Sequence, residues 1–78
     1  MEKFAEEQMK AHLIITNDEF RGLSERHHSY DELLVALEAK DRLTYDEQME
    51  ENRLKKLKLQ TKDRMQAILA EHRSQPVH

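Results

Sequence analysis

The sequence predicts an all-α fold: an antiparallel two-helix hairpin, coiled-coil-like, preceded by a short N-terminal helix. Three observations carry that prediction. Apolar residues recur at heptad spacing over two long segments. Each of those segments opens on a helix-capping signal. Only a few residues separate them, and the 78-residue chain holds one Gly and one Pro, so little interrupts a helix.

The N-terminal arm, residues 1–15, comes first. Phe4, Gln8, Ala11 and Ile15 share one helical face, with Met9 and Leu13 beside it. So short a helix is marginal alone. The run Leu13-Ile14-Ile15 is too apolar to stay in water. It is therefore expected on the open end of the hairpin near Ile68 and His72, or on another chain.

Residues 16–73 form the hairpin. Asn17 is a good N-cap, and Asp18 and Glu19 follow at the positive end of the helix. A helix is expected from Asp18 to about Asp41. Its seam runs Phe20, Leu23, His27, Tyr30, Leu34, Leu37, in steps of 3, 4, 3, 4 and 3. Disordered chains of similar charge keep no such register. Lys40 to Leu43 remain for a loop, and long helices joined so briefly must lie antiparallel. Thr44, with Glu47 three residues on, is a capping box. The next helix is expected from Tyr45 to about Arg73, with Met49, Leu54, Leu57, Thr61, Met65, Ile68 and His72 on one stripe. Folding the chain about Leu43 sets Leu37 against Met49, Leu34 against Leu54 and Tyr30 against Leu57. It also sets His27 against Thr61, Leu23 against Met65 and Phe20 against Ile68. Leu34 and Leu57 are expected to be buried in facing layers. The mutual fit of the two seams supports the hairpin more than either stripe does alone. Pro76 lies past the helix end, and residues 74–78 are expected to be a flexible tail.

Composition excludes several classes of protein. There is no Cys, which removes disulfides and thiolate zinc sites. No apolar run approaches the ~18 residues of a membrane span. The start, Met1-Glu2-Lys3-Phe4-Ala5-Glu6-Glu7, is acidic and unlike a signal peptide. A cytoplasmic protein with no membrane partner is expected. The net charge of −3 argues against a chain built globally for nucleic acid. A chain this short buries only ~60–65% of its unfolded surface, so association is a natural supplement to its core.

Few residues point to chemistry. Five His invite a metal reading, but His27 and His28 are adjacent and diverge by ~100° on a helix. His12 and His72 approach only if the first helix folds back. His27 reads instead as a hydrogen-bonded polar seam residue that fixes register. The block Arg53, Lys55, Lys56, Lys58, Lys62 and Arg64 is a candidate interaction surface. It can grip phosphate, yet Asp46, Glu47, Glu50 and Glu51 lie just upstream, and Glu25, Asp31 and Glu32 lie on the facing helix. Aromatic residues for base stacking are missing from the block. A salt-bridged face, with docking of an acidic protein or of nucleic acid as alternatives, is the expectation. Leu33, Val35, Leu59 and Leu69 are surplus to the seam, and either pack the first helix or drive self-association. Gly22 sits inside a helix, where it costs ~1 kcal/mol relative to Ala. No cofactor, catalytic constellation or small-molecule substrate is evident, and a thin hairpin has no dry pocket for acid–base work.

Two stretches resemble a known family. Phe20 to Asp31 is similar to an F-x-x-L-x-x-x-H-x-x-L-D pattern, and Leu54 to Asp63 is similar to L-K-K-x-K-L-x-x-K-D. In this order and spacing they resemble the YdcH-like family of small bacterial proteins, over about Ala11 to Arg73. The second stretch is the more specific. Tyr30 departs from the pattern, which has an aliphatic residue there, and Asp18 stands where related sequences often have Pro. The resemblance implies an antiparallel helical hairpin in a cytoplasmic protein of undefined function, and brings no catalytic residues with it. The functional expectation is a non-catalytic structural or protein-interaction module that associates with itself or with another protein. A nucleic-acid-binding accessory role through residues 53–64 is the alternative.

Overall fold

The computed structural model describes the backbone of residues 2–74 and the side chains of residues 5–73. Phe4 as part of a helix face, and the tail beyond Ser74, lie outside the described side chains. Among the described residues the chain forms three helices and no strand: α1 (Glu2–Thr16), α2 (Asp18–Glu38) and α3 (Tyr45–Ser74). α2 and α3 pack along their length as the hairpin, and α1 closes its open end. The molecule measures 55 × 20 × 18 Å. Its length is set by α3, whose 30 residues span ~45 Å at 1.5 Å each.

One residue separates α1 from α2. Asn17 leaves the helical region, at φ −126° and ψ 108°, and its side-chain oxygen accepts the Phe20 N–H at 2.9 Å. Its own N–H donates to the Leu13 carbonyl at 2.8 Å. Asn17 thus ends one helix and caps the next, with Asp18 and Glu19 in the first turn of α2.

α2 stops at Glu38, short of the expected Asp41. The Ala39 N–H still reaches the Val35 carbonyl at 3.0 Å, but the Lys40 N–H bonds only the Leu37 carbonyl, at 3.1 Å. That i→i−3 bond tightens the last turn and releases the chain into the connection at residues 39–44. α3 opens on a reciprocal capping box. The Glu47 N–H donates to the Thr44 hydroxyl at 3.1 Å, and the Thr44 N–H donates to the Glu47 carboxylate at 2.9 Å. The helix continues to Ser74, one residue into the segment expected to be tail.

The core is concentrated at the open end. Leu13, Phe20, Leu23, Ile68 and Leu69 are buried together, with Met9 and Met65 packed against them. Leu69, surplus to a two-helix seam, is 1% exposed because α1 brings Leu13 onto the same cluster. Toward the connection, Leu34 and Leu54 are buried, while Tyr30, Leu37 and Leu57 are half-buried. Between the two halves lies a polar layer. Thr61 is buried and its hydroxyl donates to the Leu57 carbonyl at 2.7 Å, whereas His27 is half-buried.

Several expectations need correction. Met49 is 54% exposed and does not join the seam. The step from Met49 to Leu54 is five residues, which breaks the 3–4 alternation. Continued at helical spacing, the stripe passes instead through the half-buried Glu47, Glu50 and Glu51. Leu34 is buried as expected, but Leu57 is only half-buried. His27 makes no hydrogen bond to another described residue. Ile15 remains 78% exposed, although its neighbour Leu13 is buried.

Candidate interaction surface

Along one edge of the hairpin the two helices leave an open groove of about 550 Å³. Its apolar lining is Leu34, Leu59, Met65 and Leu69. Helical spacing creates it. On α2, Asp31 and Glu38 follow the seam residues His27 and Leu34 by four, which sets them on one flank of the seam. On α3, Lys55, Lys58 and Lys62 follow one another by 3 and 4 on the matching flank. Lys10 of α1 lines the groove as well. One wall is therefore acidic and the other basic.

The walls meet in ion pairs. Lys58 Nζ lies 2.5 Å from Asp31 Oδ1, and Lys55 Nζ lies 3.8 Å from Glu38 Oε2. Elsewhere on the hairpin Arg64 grips Glu19 with two bonds, Nε and one terminal nitrogen donating at 2.9 and 3.0 Å. These three pairs tie α3 to α2. Two more belong to α3 alone: Arg53 with Glu50, at 2.6 Å, and Lys55 with Glu51, at 4.0 Å. Four of the six cations of the basic block are thus neutralised within the chain. Among the described residues, Lys56 and Lys62 have no ion-pair partner. The hydrogen bond from Lys58 holds the Asp31 carboxyl below its ordinary range, and that from Arg64 does the same for Glu19. The hydrogen bond from Arg53 does so for Glu50. Near the connection, Lys40 contacts the Glu47 carboxylate and depresses it, with help from the Thr44 N–H.

His27 lines the groove beside this network. Burial lowers its pKa from the ordinary 6.5, and the Lys58 charge adds to that. Asp31 opposes the shift, while Lys62 and His28 reinforce it. His28 points elsewhere and contacts Glu32 at 2.6 Å. His12 and His72 do approach, with ring centroids 5.8 Å apart, because α1 folds back onto the end of α3. Among the described residues no three His, Asp or Glu side chains converge where they can hold a metal ion. No helix among the described residues is long and apolar enough to cross a membrane.

The surplus apolar residues divide. Leu69 serves α1, but Leu33, Val35 and Leu59 stay 53%, 61% and 58% exposed. Leu59 lines the groove, and Val35 lies four residues from Asp31 and three from Glu38, on the acidic flank. Leu33, with Tyr30 and Leu37 at helical spacing, falls on the opposite flank. Of the acids expected opposite the basic block, Asp31 does meet it, whereas Glu32 contacts His28; the part that Glu38 and Lys10 play in the groove was not expected. The available signal was position: Asp31 and Glu38 sit four residues after seam residues, opposite lysines that follow the α3 seam by one.

Together these features define a class: a charge-laced antiparallel helical hairpin closed by a short third helix. Residues 20–69, about two thirds of the chain, match the family described as "Protein of unknown function (DUF465)". The chain belongs to that family, which includes the YdcH-like proteins. No curated protein and no solved structure matches it.

Proposed function

We propose that this chain is a small, non-catalytic protein-interaction module whose working surface is the groove edge of the hairpin. One observation carries the reading: Val35 and Leu59 stand more than half exposed beside an open groove with an apolar lining. A chain with so small a core gains from covering such residues. The groove is open to water, and Asp31 and Lys58 in its lining are held in an ion pair with each other. An open groove suits docking rather than acid–base catalysis, which needs groups converging in a pocket that excludes water. The alternative, nucleic-acid binding through residues 53–64, is weakened by the ion pairs of Arg53, Lys55, Lys58 and Arg64. Phosphate would have to displace carboxylates already in place.

The test is a photo-crosslinking residue at position 59, introduced in the cell of origin. Adducts with protein, including the chain itself, support the module. Adducts with nucleic acid, or none, overturn it. In parallel, labelled DNA and RNA are titrated at two salt concentrations. Steep salt-sensitive binding favours the alternative.

A further inference from the structure

The groove has a feature that a docking site for an arbitrary partner does not need. Its two walls carry opposite charge. Asp31 and Glu38 line the α2 side, and Lys55, Lys58 and Lys62 line the α3 side. An evenly acidic helix laid in the groove would put like charge against Asp31 and Glu38. A phosphate backbone or an anionic lipid surface would do the same. An evenly basic partner would meet the three lysines. The surface that matches both walls is one that itself carries an acidic edge beside a basic edge.

We infer that the occupant of this groove is a second copy of the same chain, related by a two-fold axis that lays the acidic α2 edge of each copy over the basic α3 edge of the other. This rests on the interaction-module reading and deepens it by naming the partner. A two-fold interface is isologous: if residue i of one copy meets residue j of the other, then j meets i. A patch with acid on one flank and base on the other satisfies that condition. Lys62, which has no ion-pair partner among the described residues, gains the acidic wall of the other copy, where the Asp31 and Glu38 carboxylates are half exposed in their own ion pairs and can take a second cation without losing the first. Val35 and Leu59 lie one on each flank, so the same rotation brings α2 apolar surface over α3 apolar surface. The continuity with the existing fold is direct. α1 already packs on Leu69, which lines the groove, and Lys10 of α1 lines it too, so α1 covers part of the edge and leaves the rest for a neighbour.

The test is sedimentation of the full chain with two exposed-site variants, each checked for helicity. The wild type should associate to about twice its 9.4 kDa mass at ~100 μM. Its melting temperature should rise with concentration. Leu59→Glu, in the groove, should weaken association by about tenfold or more. Leu33→Glu, equally exposed but on the opposite flank, should leave it unchanged. Lys62→Glu sets a carboxylate against the acidic wall and should weaken association without touching an apolar contact. Should Leu59→Glu fail to fold, Lys62→Glu carries the same expectation. A wild type that remains monomeric at ~500 μM overturns the inference. So does association that survives both groove variants, or that Leu33→Glu abolishes. Crosslinking from position 59 separates this inference from the broader reading. An adduct at twice the chain mass supports both. Adducts with other proteins alone leave the module standing and overturn self-pairing. No protein adduct overturns both.

Discussion

Replacing Gly22 by Ala should stabilise the protein. Gly22 lies in the interior of α2 at ordinary helical geometry, with no positive φ. Glycine in such a position costs ~0.5–1 kcal/mol relative to alanine, because it surrenders more backbone freedom on folding. The gain appears in full only where the added methyl has room. A Cβ on Gly22 would meet only the Arg26 guanidinium, at 4.0 Å, which is ordinary contact with the far end of a flexible side chain. Arg26 also donates weakly to the Gly22 carbonyl at 3.5 Å, a backbone contact the substitution leaves in place. The expected gain is therefore the whole propensity term, ~0.5–1 kcal/mol. In a domain of this size ~1 kcal/mol moves the melting temperature by ~4–8 °C, so a rise of ~2–8 °C is expected. Far-ultraviolet circular dichroism gives the measurement, at one fixed protein concentration because association itself raises the midpoint. A lower melting temperature for Gly22→Ala refutes the reasoning. It would mean that something outside the single chain approaches this backbone closely.

Leu54→Ala should cost ~2–4 kcal/mol in chemical denaturation, and Leu57→Ala clearly less, since only Leu54 is fully buried; the reverse order would contradict the layering. Asn17→Ala should cost ~1 kcal/mol by removing the oxygen that accepts the Phe20 N–H, and an unchanged midpoint would count against the cap. His27 should weaken the fold as pH falls. Its folded pKa lies below the ordinary 6.5, so the unfolded chain takes up a proton first, and stability declines from about pH 7 toward pH 5. Asp31 and Glu19 act lower, their contribution being lost only as pH falls below their ordinary values of 3.8 and 4.5. His27→Gln should flatten the upper slope, and an NMR titration placing the His27 ring above 6.5 would show that Asp31 outweighs burial and the lysines.

The hairpin was legible because helix geometry turns spacing into faces. Phe20, Leu23, Leu34, Leu54 and Ile68 are buried where the heptad register sets them. Asn17 and the Thr44–Glu47 pair cap where their side-chain chemistry calls for it. Met49 was admitted to the stripe for being apolar, although its spacing was wrong. Apolar character describes what a residue prefers, and register decides what it receives. Near the connection the helices run out of apolar residues, and Glu47, Glu50 and Glu51 take the half-buried positions by geometry alone. The groove was harder to see. It depends on which flank of each helix faces which, and on where α1 comes to rest. Neither follows from the seams, because a two-helix hairpin has two edges and its heptads do not say which one the third helix will cover.

That asymmetry links packing to the proposed association. α1 thickens the hairpin at the open end, where Leu13, Phe20, Leu23, Ile68 and Leu69 form a three-helix core. Beyond the His27–Thr61 layer there is no third helix. Leu34 and Leu54 hold that half with half-buried neighbours, and the ion pairs of Lys58 with Asp31 and Lys55 with Glu38 bridge its edge. Exposed ion pairs contribute little to stability, because water solvates both partners nearly as well. The half nearest the connection is therefore the weaker one, and it opens more readily by local unfolding. It also carries Val35 and Leu59, more than half exposed. A second copy seated in the groove would give this half the third layer that α1 gives the other. Amide exchange should then be slow at Phe20, Leu23 and Ile68 at every concentration. At Leu34 and Leu54 it should be faster in dilute protein and slow as copies pair. Exchange at Leu34 and Leu54 that ignores concentration would break the link between the weak half and the groove.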